Sequence, residues 1–258
     1  MKQKKRFFHM WIYAGLFFVI VSLPCLTYAK DLEASLAYLP TLADSPDKGF
    51  FVDLVKAIDE VYVDGSIHIK VYPFVRSLNN IKQGKADFHV PMARDPFLDE
   101  DKHPYKYASE PMGEVSFVIY SHKGNPITKE DIFRGTSLAN FPYKIETERG
   151  LEDLFNFPTI TSSTIDQSMK KLVIRRIDCF IWAQEEADSI LRELKIAIIH
   201  RAFYRIFDDV IVIPEGHKGD EVDKILSQAI RTLKSTGRWQ ALYKKIHRSY
   251  LEWQPYQR

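Results

Sequence analysis

An α/β fold with largely parallel sheets is predicted by two patterns: short apolar or alternating runs recur down the chain, and stripes of helical spacing fall between them. A third observation is the absence of internal repeats, low-complexity tracts and Pro/Gly-rich linkers, which marks no simple domain cut and leaves open both a single domain and two lobes joined by strands. In chain order, LEASLAYL (32–39) reads as the first strand. Phe51, Leu54, Val55 and Ile58 then follow i, i+3, i+4, i+7 and predict a helix. IHIKVYPF (67–74) is the second strand, and Val75, Leu78 and Ile81 mark a helix stopped by Gly84. ADFHVPM, EVSFVIYS, TSLANF and IDCFIW are the next strand candidates. Ala187, Ile190, Leu191 and Leu194 form a helical stripe, followed by strand candidates KIAII and DDVIVIP. Val222, Ile225, Leu226, Ala229, Ile230 and Leu233 give the cleanest stripe, with Asp220 as its expected cap and Gly237 at its end. Trp239, Leu242, Tyr243 and Ile246 predict a short last helix. Every stripe is expected to face the core, and none needs a cofactor to explain it.

The first residues set the compartment. KQKKR (2–6) is a basic segment, and Phe7–Ala29 carries no formal charge around WIYAGLFFVIVSL. Thr27 and Ala29 place small residues three before and one before the next bond, the layout of a secretory signal peptide cut after Ala29. An uncleaved anchor is the alternative, because this stretch is long enough to span a bilayer; Pro24 and the small residues favour cleavage. Leu23-Pro24 ahead of Cys25 argues against lipid attachment. The expectation is a periplasmic protein whose mature chain begins at Lys30.

Counting the whole 258-residue chain gives a net charge of +2, but Lys2, Lys4, Lys5 and Arg6 supply four of the positive charges. Without them 32 basic side chains face 34 acidic ones. A chain so near neutrality makes no electrostatic case for nucleic acid or an anionic membrane as partner. Cys179 is then the one cysteine outside the leader, so no internal disulfide is expected. Its setting, IDCFIW, reads as a buried small hydrophobe rather than a nucleophile.

The signatures G-x-G-x-x-G, G-x-x-x-x-G-K-[ST], G-x-S-x-G, H-E-x-x-H and C-x-x-C are all absent. The eight histidines lack paired ligand spacing; His68 and His89 fall in strand candidates and could meet in space, but ordinary hydrogen-bonded histidines are the expected reading. Asp95, Asp99, Glu100 and Asp101 lack the glycine and closing Glu of an EF-hand, so a solvated loop is expected. Lys244, Lys245, His247 and Arg248 read as a solvated face of the last helix. No metal and no cofactor are expected.

In open α/β sheets, ligands bind beyond the carboxyl ends of strands. That rule selects Tyr38, Phe74, Arg76, Arg94, Tyr143, Trp182, Gln184 and Glu185. A guanidinium can clamp a carboxylate and aromatic rings can sandwich a ligand body, so the set suits a small anionic or zwitterionic solute. Each has a structural alternative: Arg76 could pair with Asp53, Arg94 with a loop acid, and Phe74 and Trp182 could belong to the core.

Several ordered motifs carry a resemblance. GFFVDL (49–54), PFVR (73–76) followed by GKAD (84–87), YASEP (107–111), RRID (175–178) and STGRW (235–239) with KKI (244–246) resemble those of the bacterial extracellular solute-binding proteins of family 3. These are the periplasmic receptors of amino-acid ABC importers. The resemblance spans nearly the whole chain after residue 29. It implies a two-lobed type II periplasmic-binding fold with hinge strands, the first lobe from residues 30–120 and 209–258 and the second from 121–208. It implies a monomer that takes a small, carboxylate-bearing solute and hands it to a membrane permease or a sensor. Arg94 would grip the ligand carboxylate, and Gln184 or Glu185 its ammonium group. Some relatives are dehydratases, so an enzyme using Glu110, Glu185 or His89 as acid or base is the competing class. A redox accessory role is a weaker third option.

Overall fold

The computed structural model describes residues 30–98, 103–134, 140–162 and 164–257. The expected leader, the acids Asp99, Glu100 and Asp101, and most of TSLANF lie outside the described residues. The elements run β1 (Leu32–Ala37), α1 (Phe50–Val61), β2 (Ile67–Tyr72), α2 (Phe74–Lys82), β3 (Phe88–Arg94), β4 (Lys106–Tyr107) and β5 (Gly113–His122). They continue with α3 (Lys129–Phe133), β6 (Ile145–Glu148), β7 (Ile160–Ser162), α4 (Ile165–Val173), β8 (Cys179–Ala183), α5 (Gln184–Leu194), β9 (Ile199–Ile213), α6 (Gly216–Ser235) and α7 (Arg238–Ile246).

Among the described residues the strands form one sheet, ordered β2-β1-β3-β9-β5-β8-β6-β7, with β4 beside the end of β9. Its two ends are parallel: β1 lies between β2 and β3, and β6 between β7 and β8. Its centre is antiparallel, because β9 pairs with β3 and β5, and β5 with β8. The expectation of largely parallel pairing therefore holds for the two ends and fails in the middle. There the chain runs from one half-sheet to the other through β5 and returns through β9.

The register shows how two strands serve both halves. β3 pairs with the carboxyl end of β9, from His89 opposite Val212 to Arg94 opposite Asp208. β8 pairs with the carboxyl end of β5, from Phe117 opposite Ala183 to Ser121 opposite Cys179. KIAII and DDVIVIP are not two strands: all but the last residue of the first forms a turn, and Ile199–Ile213 is one 15-residue strand. The polar residues between those runs hid its continuity.

Helix α1 buries Phe51, Leu54, Val55 and Ile58, the predicted stripe, and packs on α6 and α7. In α2 the buried face is Phe74, Ser77, Leu78 and Ile81, with Phe74 in the place expected for Val75. In α5, Gln184, Glu186 and Asp188 are buried beside Ala187 and Leu191, while Leu194 is exposed. Helix α6 starts at Gly216, a turn before Asp220, which instead pairs with Lys106 at 3.1 Å. Gly237 is left-handed and separates α6 from α7. Cys179 is fully buried and its thiol is pushed up by burial, as a structural cysteine should be.

One glycine is required by geometry. Gly49 has φ 138°, and a Cβ there would stand 2.4 Å from the Leu42 carbonyl oxygen. The start of α1 presses against the loop that follows β1, and Phe51 N–H donates to Leu42 at 2.8 Å. That contact fixes Leu39 and Leu42, both of which reach the cavity described next.

Candidate functional site

A cavity of about 50 Å3 lies where the two half-sheets meet. Leu39, Leu42, Phe51 and Phe74 line it from one side, Leu151 and Ala183 from the other, and Val115 and Phe117 come from the crossing strand β5. Pro91 also faces it. This residue has no N–H for the ladder, and the β3–β9 register shifts there, between His89 and Met92.

Into this apolar shell project four acids and one imidazole: Glu148, Glu185, Glu186, Asp209 and His247. Glu148 ends β6, and Glu185 and Glu186 occupy the first turn of α5, directly after β8. Asp209 sits on β9 and accepts a hydrogen bond from His247 Nε2 at 2.8 Å, both side chains being buried. A first-turn position at a helix N-terminus favours carboxylate charge by about 0.3–1 kcal/mol. Desolvation is the larger effect. Burial pushes the Glu185 carboxyl up to about 6, despite the hydrogen bond it accepts from Arg248 N–H at 3.2 Å. Glu186 is raised by burial and then by the neighbouring Glu185 and Asp209. The Trp182 indole opposes that rise without meeting hydrogen-bond geometry. Glu148 is raised well above the usual range by burial and by Glu186 and Glu152. Asp209 is raised by burial, with His247 pulling the other way.

Of the residues selected from sequence, Phe74 and Glu185 line the cavity. Arg94 lies in an adjoining hollow that shares Ala93 and Leu151 with it, and its guanidinium pairs with Asp208 at 2.7 Å. The strand register sets that pair, since Arg94 and Asp208 are cross-strand partners. Arg76 is exposed in a separate hollow and stacks 4.8 Å above the Tyr72 ring, so the expected partner Asp53 is not the one it meets. Tyr38 is 52% exposed. Tyr143 packs edge-on against Phe141. Trp182 is buried in the core. Gln184 donates to the Arg248 carbonyl at 2.6 Å.

Other expectations need correction. His247 is not on a solvated face: it is buried, because the chain turns inward after α7. His68 and His89, by contrast, are ordinary histidines as expected and do not meet. His68 is exposed near Asp31, whereas His89 is fully buried against Ser77 Oγ at 2.7 Å, and burial pushes it down to about 3. Glu110 lies outside the cavity, paired with Arg231 and Lys234, both at 2.8 Å. Asp95 is bound by Arg205 at 2.6 Å rather than solvated. Reasoning from strand ends missed Glu148, Glu186, Asp209 and His247. The signal available for Glu148 was IETE, a short strand ending in an acid, and for Glu186 its place beside Glu185.

A cavity between two half-sheets joined by crossing strands is an arrangement seen in solved structures. The glutamate-bound GluR0 ligand-binding core from Nostoc punctiforme superposes with a TM-score of 0.64 at 17% identity, over 83% of this chain and 99% of that one. A histidine kinase sensor domain with similarity to periplasmic binding proteins gives 0.67 at 16%, over 85% and 97%. An ancestral arginine-binding protein bound to arginine gives 0.65 at 18%, over 84% and 98%. The fold is the two-lobed type II periplasmic-binding fold. No protein-family model matches the chain, and no curated protein matches it in sequence.

Proposed function

We propose that the protein is a hinged receptor that closes on a small organic solute in the cavity between its lobes. The observation that carries this reading is the cavity wall, to which both half-sheets and the crossing strands contribute. The lobes would be residues 30–120 with 209–258, and 121–208, turning about β5 and β9. Binding energy would select the closed arrangement. Phe74 and Glu185 would touch the solute. Arg94 would reach it only by leaving Asp208, so its expected role as a carboxylate clamp requires that exchange. We place the protein in the periplasm, exported by a leader ending at Ala29 and passing its solute to a membrane importer or sensor. Among the described residues, no helix is long and apolar enough to cross a membrane.

A thermal-shift screen of the purified protein against amino acids, amines, organic acids and small sugars tests the reading. Saturable binding at a hundredfold excess over Kd adds about 2.7 kcal/mol of stability. The expected result is a hit whose shift is lost in Phe74→Ala; no hit in any class would contradict it.

An enzymatic reading draws on Glu185, whose raised carboxyl would suit a general acid. Turnover of the bound solute by the protein, abolished in Glu185→Gln with binding retained, would favour it over the receptor.

A further inference from the structure

The acids of the cavity have almost nothing to pair with. Glu186 is 6% exposed and lines the cavity with the Trp182 indole beside its carboxyl, yet among the described residues no cationic side chain pairs with it. Glu148, raised by burial and then by the neighbouring Glu186, likewise has no cationic partner among the described residues. Glu185 Oε2 is buried without a donor. The one basic group on the wall, His247, is committed through Nε2 to Asp209. A buried carboxyl without a donor is costly to ionise, so a wall of this composition is incomplete without positive charge.

A carboxylate ligand would worsen the imbalance, because Arg94 is held by Asp208 in the adjoining hollow. Among the described residues no three His, Cys, Asp or Glu side chains converge as a metal site would need. The remainder of the wall is apolar and aromatic, with Phe51, Phe74 and Phe117 prominent. We infer that the cavity takes an organic cation, a small amine or guanidinium on an apolar body without a carboxylate, its charged end lodged between Glu148 and Glu186. This deepens the receptor reading and rests on it.

Proton release accompanies such binding. The groups facing the pair are Glu185 on α5, Asp209 on β9, Glu152 beyond β6 and His247 after α7. All but the last are acids, so the free cavity holds protons that an entering cation displaces to solvent. On the acid side of this titration, affinity should rise up to about tenfold per pH unit.

Calorimetry of the purified protein with agmatine, 1-butylamine, butyrate and arginine tests the assignment, each run in two buffers of different ionisation enthalpy. The expected result is binding of agmatine or butylamine with net proton release, weakened at least tenfold in Glu186→Gln and in Glu148→Gln. These variants place a neutral amide where a protonated carboxyl stands in the free cavity and should fold, which a melting curve checks. Binding of butyrate or arginine without binding of either amine would overturn the cation assignment and leave the receptor standing. Amine binding that is unchanged in both variants would also overturn it. No binding by these four or by any solute of the thermal-shift screen would overturn both.

Discussion

Asp87 and Arg201 show how differently two buried charges serve the molecule. Asp87 accepts the Glu33 backbone N–H at 2.7 Å and pairs with Lys218 at 2.8 Å, tying β1 to the turn before β3 and to α6. Asp87→Ala should lower stability by about 1.5–3 kcal/mol in urea denaturation while leaving solute affinity unchanged. Loss of affinity with an unaltered midpoint would place Asp87 in the site instead. Arg201 is fully buried and binds Asp188 through two bonds of 2.7 Å. Arg201→Met strands the Asp188 charge, and the same measurement should show a loss of about 3–5 kcal/mol.

The titrating residues act in opposite directions. His89 is neutral when folded and basic when unfolded, so the folded state holds fewer protons and stability rises with pH up to about 6.5. Glu148 and Glu186 hold protons when folded that they lose when unfolded, so their contribution falls as pH rises above the ordinary Glu value of about 4.5. A melting-temperature profile should therefore rise through the acid range, turn over near the ordinary Glu value, between about pH 4 and 5, and decline toward pH 8. Glu186→Gln should flatten the decline; an unchanged alkaline limb would show that the group is not protonated.

Among the elements, α1, α6 and α7 were the most legible because each carries an uninterrupted apolar stripe that packs on the others. α5 was legible as a helix but not in its burial, since Glu186 and Asp188 are inside for reasons of charge pairing and cavity lining that hydrophobic periodicity does not register. β9 was legible only in part: from Arg201 to Phe207 the buried residues fall at every third position rather than every second, and Phe203 and Ile206 face solvent. The rule of strand ends selected Phe74 and Glu185, which line the cavity, and Arg94, which lies in the adjoining hollow on Asp208, a partner set by a strand register that no local run of residues reveals.

The segment after α7 was read only at His247 and Arg248, as a solvated face, yet it ties several elements together. Its Arg248 N–H and C=O engage Glu185 and Gln184, Leu251 and Trp253 carbonyls accept from Arg201, and Gln254 exchanges two bonds with the Arg201 backbone. The tail leaves the half-sheet that carries α7 and lies on the other, against β9 and α5. Deleting residues 250–258 removes two acceptors from a buried guanidinium and should cost more than about 2 kcal/mol. Hydrogen exchange should quicken first at Arg201, whose N–H the Gln254 side chain otherwise holds.

For the whole molecule, the central consequence of the topology is that β5 and β9 are both core strands and the link between halves. Their pairing is continuous across the junction apart from the shift between Phe117 and Val118, a natural place for the sheet to flex. Motion of one half against the other would change the cavity without breaking either half's own core. The most direct measurement is the distance between labels on Val63→Cys and Ile174→Cys, exposed positions on the two halves, with the buried Cys179 left unlabelled. Titration with agmatine, and in parallel with the amino acids and acids of the screen, should shorten that distance saturably, over the concentrations at which the solute binds. The shortening should be lost when Phe74 and Glu186 are replaced. Solute binding at an unchanged separation, or a change indifferent to those two residues, would contradict closure around this cavity.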